Sequence, residues 1–464
     1  MRKQLSVGLL LALLSCNGCG VAMRGAVKGY DAFVDSELFH KGRHGALNEE
    51  EKKWAKTAWN YFKNNTQSQT GIVNAVDYYP SSTAWQMADY LAALVSAHEL
   101  EVIGKEEFDQ RLSQLLQFLN TMRLFQDKLP NKAYNTQTGA PVNYENKPDE
   151  IGWSAIDIGR LLTWLAIAKC RYPTYGEYID KVVLRWNFCD IVDKSGTLYS
   201  GVKTGDRIEL YRERLAGYER YAARGFELWG FNVKSEPMAE TAGKVQIYGV
   251  DIPYDSLDQR DRGIFSPVSS LGFLLDGMEF NWDISSDLKS TDTRQTDSEM
   301  TKLAEDIYRV QEARYLKEGI FTARTDHQLP QAPFFVYDSI FAAGYPWNVI
   351  SDDGRPQKDA ALVATKAAFG MWVLWKTPYT DALIRSVCSL YDPERGWYEG
   401  RMEKTGGYLY VITAGTNAVV LETLFYKTSG KLLKCAERED HYSLYMKDPF
   451  KAQGHCYPPE WACR

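Results

Sequence analysis

Apolar and polar positions alternate along most of this chain with a period of about 3.6 residues, the spacing of amphipathic helices. From residue 49, with Asn48 as a cap, Trp54, Ala58, Tyr61 and Phe62 recur on one face. Residues 83–94, TAWQMADYLAAL, open with Thr83 and Gln86 in capping-box positions. Residues 105–124 carry the stripe Phe108, Leu112, Leu115, Leu116 and Leu119. Residues 152–165, GWSAIDIGRLLTWL, start a helix at Ser154, and residues 175–188 supply a partner. Further helices are predicted over 212–230, 266–280, 300–316, 333–344, 358–375, 379–390 and 416–427. Short strand-like pieces are predicted over 195–207 and 244–255, and DPERGWYEG (392–400) reads as a loop. No linker rich in Gly, Ser or Pro divides the body, so residues 48–430 form one large, mostly α domain.

The helix beginning at Ser154 organises the rest. Trp153, Asp157, Arg160 and Trp164 share a face, placing a carboxylate between two indoles. Flat rings around an acid suit a sugar, which offers apolar faces to stack on and a glycosidic oxygen to protonate. An i,i+3 pair of Asp157 with Arg160 is the structural alternative. Trp85 and Asp89 repeat the spacing of Trp153 and Asp157, which points to a repeated helical hairpin whose inner helices end around a central cleft.

Composition changes this picture little. The net charge of -6, without a Lys/Arg cluster, excludes a nucleic-acid footprint. The 13 Trp and 29 Tyr fit a carbohydrate cleft. The N-terminus adds more. Arg2 and Lys3 precede the apolar run 5–14, too short to span a bilayer, so residues 1–15 read as a signal peptide. Leu13-Leu14-Ser15-Cys16 resembles a bacterial lipobox with Cys16 as the lipidated residue, and 16–47 would be a tether. A lipid anchor is then the only membrane contact, on the periplasmic side of the outer membrane in a Gram-negative cell. Eight cysteines fit export. In the Cys-containing tail, 431–464, Cys456 and Cys463 are close enough to pair, and Cys170 with Cys189 and Cys388 with Cys435 are further options.

Glycoside hydrolysis without a cofactor needs two carboxyl groups across the scissile bond. Asp157, Asp89, Glu213 and Glu399 are the candidates, with Glu219 and Glu422 read as structural acids. Trp85, Trp153, Arg160, Tyr218, Trp397 and Tyr398 are candidate sugar contacts. No P-loop, dinucleotide fingerprint or GxSxG occurs, no histidine or cysteine spacing supports a metal site, and the acids at 251, 255, 258 and 261 miss the EF-hand pattern.

Six ordered segments, TAWQMADYLAAL, PNKAYNTQTG, GWSAIDIGRLLTWL, RLAGYERYAARGFELWG, RGWYEG and TNAVVLETLFYK, resemble a bacterial domain family of unknown function among the six-hairpin glycosidases. That resemblance implies an all-α fold, an (α/α)6 toroid with short β pieces in its loops. The chain is more weakly similar to the glycoamylase-like β-1,2-glucanases. Ser154-Ala155-Ile156-Asp157 matches their inner-helix Ser-Thr-Val-Asp, and residues 212–217 match their Ser-Glu-Ala-Arg-Leu-Ala-Ser. The resemblance assigns catalysis to Asp157 and Glu213. Arg214 follows Glu213 directly, SPVSSLGFLL lacks a Glu-Pro pair, and Asp326-His327 stands where an acidic pair is usual.

The expectation is therefore a lipid-anchored hydrolase of a bacterial exopolysaccharide or periplasmic glucan, assisted by Asp89 and Glu399. Inversion would separate the acids by about 6.5–9.5 Å. The alternative is a non-catalytic glycan-binding scaffold, a partner of polysaccharide-export or surface-appendage machinery. In it, Arg160 and Arg214 would hold the acids ionised.

Overall fold

The computed structural model describes residues 42–233, 242–256, 265–290, 293–435 and 454–458. Its helices are α1 (Glu49–Asn65), α2 (Ala84–Glu99), α3 (Lys105–Thr121), α4 (Ala155–Arg171), α5 (Gly176–Leu184), α6 (Tyr218–Leu228), α7 (Leu271–Phe280), α8 (Ser298–Glu318), α9 (Thr365–Leu374), α10 (Pro378–Val387) and α11 (Ala414–Ser429). Six of them form a closed ring in which α2 packs on α4, α4 on α6, α6 on α7, α7 on α9, α9 on α11 and α11 on α2. The remaining helices lie outside, α1 against α11 and α2, α3 against α2, α5 against α4, α8 against α7 and α10 against α9.

Burial follows that arrangement. Every side chain of α7 and α9 is buried, whereas α3 keeps only the stripe led by Phe108 and Leu112. The tightest seam is α4 on α6. A Cβ on Gly225 would stand 2.0 Å from the Gly159 carbonyl oxygen, and one on Gly159 would stand 2.6 Å from Ala222. Only glycine lets these backbones approach so closely.

Capping explains where the ring helices begin. Thr83 and Gln86 close a capping box on α2, and the Ser154 hydroxyl accepts from Asp157 N–H at the start of α4. Thr413 does the same for α11.

Several expected elements differ. Helix over 212–230 begins only at Tyr218, because Gly217 sits at φ 87° with Phe273 filling the space of a Cβ. Residues 333–344 form strands Phe335–Asp338 and Phe341–Ala342 instead of a helix, since Val336 and Asp338 alternate inward along an aromatic, β-branched run. RGWYEG is strand, Gly396–Met402, paired with Leu362–Ala364, Tyr391–Asp392 and Tyr408–Ile412.

The cysteines pair otherwise than expected. Cys456 bonds Cys189 and not Cys463, and Cys435 bonds Cys170 and not Cys388. The fold brings the ends of α4 and α5 against the chain after α11, so sequence proximity within the tail was the wrong guide. Cys463, Cys16 and the signal-peptide and tether segments through residue 41 lie outside the described residues. Among the described residues no helix is long and apolar enough to cross a membrane.

Candidate active site

Two acids from unlike segments meet at one hydroxyl. Asp157 is the third residue of α4, and Glu213 lies in the loop between strand Arg207–Tyr211 and α6. Ser154 Oγ stands 3.1 Å from Asp157 Oδ1 and 2.8 Å from Glu213 Oε1. Glu213 Oε1 also accepts from Ser200 Oγ, whose oxygen in turn accepts from Ala155 N–H at 2.7 Å. Strand Gly152–Trp153 pairs with Ser200–Thr204, which is why both serines reach the same carboxyl. Both acids keep partial solvent contact. The shared serine holds their nearest oxygens within about 6 Å, short of the roughly 6.5–9.5 Å expected of an inverting pair.

Burial, followed by the Glu213 charge, pushes the Asp157 carboxyl up to about 7, while the Thr83 and Ser154 hydroxyls and Lys132 pull the other way. Lys132 Nζ, 2.8 Å from the Tyr211 hydroxyl, supplies positive charge beside the two acids.

Among the described residues no arginine closes either acid. Arg214 reaches Asp255 at 2.5 Å. Arg160 is wholly buried and binds Asp89, Glu279 and Glu422 at 2.7, 3.0 and 2.7 Å, with the Tyr221 hydroxyl at 2.8 Å. One guanidinium on α4 thus ties together α2, α6, α7 and α11. Burial first, and the Glu422 charge against the pull of Arg160, leave Asp89 up at about 6.

These placements revise four expected site residues. Asp89 is closed from solvent around Arg160, because it is the sixth residue of α2 where Asp157 is the third of α4. The matched Trp–Asp spacing was displaced by three helical positions, so the acids point to different depths. Arg160 belongs to that buried cluster and has no surface for a sugar. Trp153 is buried with its Nε1 on the Tyr199 carbonyl at 3.0 Å, and Trp397 is buried with its Nε1 on the Trp54 carbonyl at 3.2 Å. Glu422 pairs in the core, as read from sequence, and Glu219 accepts from Arg214 N–H at 2.7 Å.

The other expected residues lie at different depths, and Glu399, expected to assist from an exposed loop, is buried on a strand. Trp85 is half-buried, stacked at 4.8 Å over Arg160 and meeting Tyr218 at 5.5 Å. Tyr218 donates to Asp326, and Lys366 Nζ lies 3.2 Å from the same carboxyl. Burial opposes ionisation of Asp326, but Lys366 and the Tyr218 and Thr325 hydroxyls outweigh it and hold the acid below the usual range. Glu399 is buried on the Thr413 and Thr416 hydroxyls, the latter at 2.6 Å, near Lys366. Tyr398 stays partly exposed beside Tyr410.

Asp326, Lys366, Lys132 and Ser200 did not stand out in the sequence as site residues. Of these only Asp326 carried a signal, its place in TARTDHQL where relatives of the resembled family carry an acidic pair.

A family model described as a protein of unknown function, DUF3131, matches residues 53–430. The chain belongs to that family. No curated protein matches it. Solved structures share its fold. An endo-β-1,2-glucanase from Chitinophaga pinensis, in complex with sophorotriose and glucose, superimposes with a TM-score of 0.56 at 13% identity, covering 84% of this chain and 94% of its own. A β-1,2-glucanase from Parabacteroides distasonis gives 0.56 at 13%, covering 89% and 59%. Cellobiose 2-epimerase from Bacillus thermoamylovorans gives 0.50 at 10%, covering 82% and 99%. At such identities the likeness is one of fold.

Proposed function

We propose that this DUF3131 protein is a glycoside hydrolase of a bacterial exopolysaccharide or periplasmic glucan, with Asp157 as proton donor. The observation that carries the reading is the convergence of Asp157 and Glu213 on Ser154, with Arg160 and Arg214 both turned to other acids. A carboxyl raised to about 7 keeps its proton at neutral pH and can pass it to a glycosidic oxygen. Glu213 tunes that proton and sits too near to act as the water-activating partner of an inverting pair. Asp326, held ionised beside Lys366, is the base in our scheme, and water attack from its side inverts the anomeric centre. Tyr218, in edge contact with Trp85, donates to Asp326 and fixes its carboxyl.

The scaffold alternative required Arg160 and Arg214 to neutralise these acids, and both arginines are engaged elsewhere. The carbohydrate activities of the fold neighbours favour the enzyme reading. We further propose export and lipidation at Cys16. The disulfides Cys170–Cys435 and Cys189–Cys456 suit an oxidising compartment.

Digestion of a glycan panel tests the reading, using β-1,2-, β-1,3-, β-1,4- and β-1,6-glucans, poly-N-acetylglucosamine and the host's exopolysaccharide. Release of oligosaccharides that Asp157→Asn, Glu213→Gln and Asp326→Asn each lose is expected, with an inverted anomer in the first NMR spectra. Release undiminished in Asp157→Asn would overturn the assignment.

A further inference from the structure

A run of tyrosines leads away from the acid cluster. Tyr408 and Tyr410 project from alternate positions of strand Tyr408–Ile412, while Leu409 and Val411 turn into the core. Tyr410 meets Tyr408 at 5.8 Å and Tyr398, edge on, at 5.1 Å. Tyr398 lies beside Arg395, whose guanidinium covers Tyr78 at 5.4 Å. Tyr79 follows, and its hydroxyl donates to the Tyr144 carbonyl at 3.1 Å. Tyr144 ends the run. Its ring stays largely open to solvent, while its hydroxyl lies in the electrostatic reach of Asp157, Tyr211 and Glu213.

These rings are both exposed and fixed. Tyr78 and Tyr410 are 73% and 72% exposed. Tyr78 nevertheless holds a left-handed backbone, φ 62°, an uncommon state for a residue with a large side chain. The loop around it is pinned on several sides. Asn65 Oδ1 accepts from Tyr78 N–H at 3.1 Å, Asn65 Nδ2 donates to Asp77 at 2.9 Å, and Arg395 Nε donates to Asp77 at 3.0 Å. Asp77 N–H also donates to the Ile412 carbonyl at 3.0 Å, joining this loop to the strand that carries Tyr410. A backbone strained and held in this way, merely to display a ring to water, points to a ligand.

The exposed large side chains along the run are all tyrosines, each pairing an apolar face with a hydroxyl. Such rings match a pyranose, which stacks its C–H face and hydrogen-bonds at its edge. We propose that this run binds successive sugar units of a polysaccharide whose scissile bond lies at Asp157, so that the protein acts within long chains. The inference rests on the glycosidase reading for its scissile bond and on the tyrosines alone for binding.

The test measures binding and cleavage separately. Asp157→Asn protein, with and without the added pair Tyr78→Ala and Tyr410→Ala, is run in affinity gels holding each polymer of the panel. Isothermal titration then compares the retained polymer with its tetrasaccharide. At least tenfold tighter binding of the polymer is expected, with most of that advantage lost in the tyrosine variant and restored by Tyr78→Trp with Tyr410→Trp. In the cleaving parent, the two alanines should cost at least tenfold more kcat/KM on polymer than on tetrasaccharide. Length-independent binding, no retention on any polymer, or retention indifferent to the tyrosines would overturn the inference. Cleavage with such indifference leaves the hydrolase standing alone. Tyrosine-dependent retention without cleavage by the parent upholds the binding run and removes the hydrolase.

Discussion

Ser154 Oγ stands between Asp157 Oδ1 and Glu213 Oε1, 3.1 Å from one and 2.8 Å from the other, while also capping the helix that carries Asp157. The hydroxyl has two separable jobs. As a cap, its loss in Ser154→Ala costs about 1 kcal/mol of stability. As a hydrogen-bond donor it restrains the Asp157 pKa, so its loss lets that carboxyl rise further. The basic limb of kcat/KM against pH is expected to move to higher pH in Ser154→Ala. A limb that stays in place would confine the serine to capping.

Asp157 also sets a pH dependence of stability. Its ordinary value is 3.8 and the fold raises it to about 7, so the folded state binds the proton more tightly than the unfolded one. Stability therefore falls as pH rises from about 4 through about 7. Asp157→Asn removes this contribution. Its melting temperature relative to the parent should be flat below pH 4, climb between pH 4 and 7, and level off above. Asp89 and Asp276 are raised in the same direction but are present in both proteins, so they cancel in the difference.

Lys366 holds Asp326 ionised. In Lys366→Met the carboxyl rises, and the acidic limb of the pH–rate profile should shift upward with it. Asp326→Asn should lower kcat by roughly 10²–10⁴, the usual worth of a general base. Full activity of Asp326→Asn at neutral pH would remove it from the mechanism.

Arg160→Met strips the guanidinium that bridges Asp89, Glu279 and Glu422. Leaving buried carboxyls without their partner should cost on the order of 3–5 kcal/mol, read as a lower urea midpoint. Circular dichroism at low pH, where the acids are protonated, should show part of the loss recovered.

Helix periodicity made most of the ring legible, because inner helices bury almost every face and outer ones keep a stripe. Caps at Thr83 and Ser154 were readable for the same local reason. The depth of each acid was not. Asp89 and Asp157 share a spacing to tryptophan, yet their positions along their helices differ by three residues, and only the cap fixes that count. Glu213 stands out in the sequence as an acid near a helix start and through the resemblance, but its partners Ser154 and Ser200 come from other segments and are not legible there. Asp326 and Lys366 are 40 residues apart and meet only through tertiary packing. Strand pieces such as Phe335–Asp338 read as helix in the sequence, their alternation being too short to outweigh a run of apolar residues.

The packing of α1 and α2 on α11 makes the ring a bracelet with a clasp. Lys427 meets Glu51 at 2.8 Å across 376 residues of sequence, and Gly45 N–H donates to the Lys427 carbonyl at 2.8 Å. Contacts so distant along the chain form late, after the local hairpins. Glu399 and its threonines belong to the closing segment, whereas Asp157 and Glu213 belong to segments made long before it. A nascent chain can therefore assemble the acid pair early, while the Glu399 segment waits for the clasp to shut. Under the proposed hydrolase reading, activity should then appear abruptly with the final helix, so that stalled or truncated chains carry paired acids without the closed ring around them.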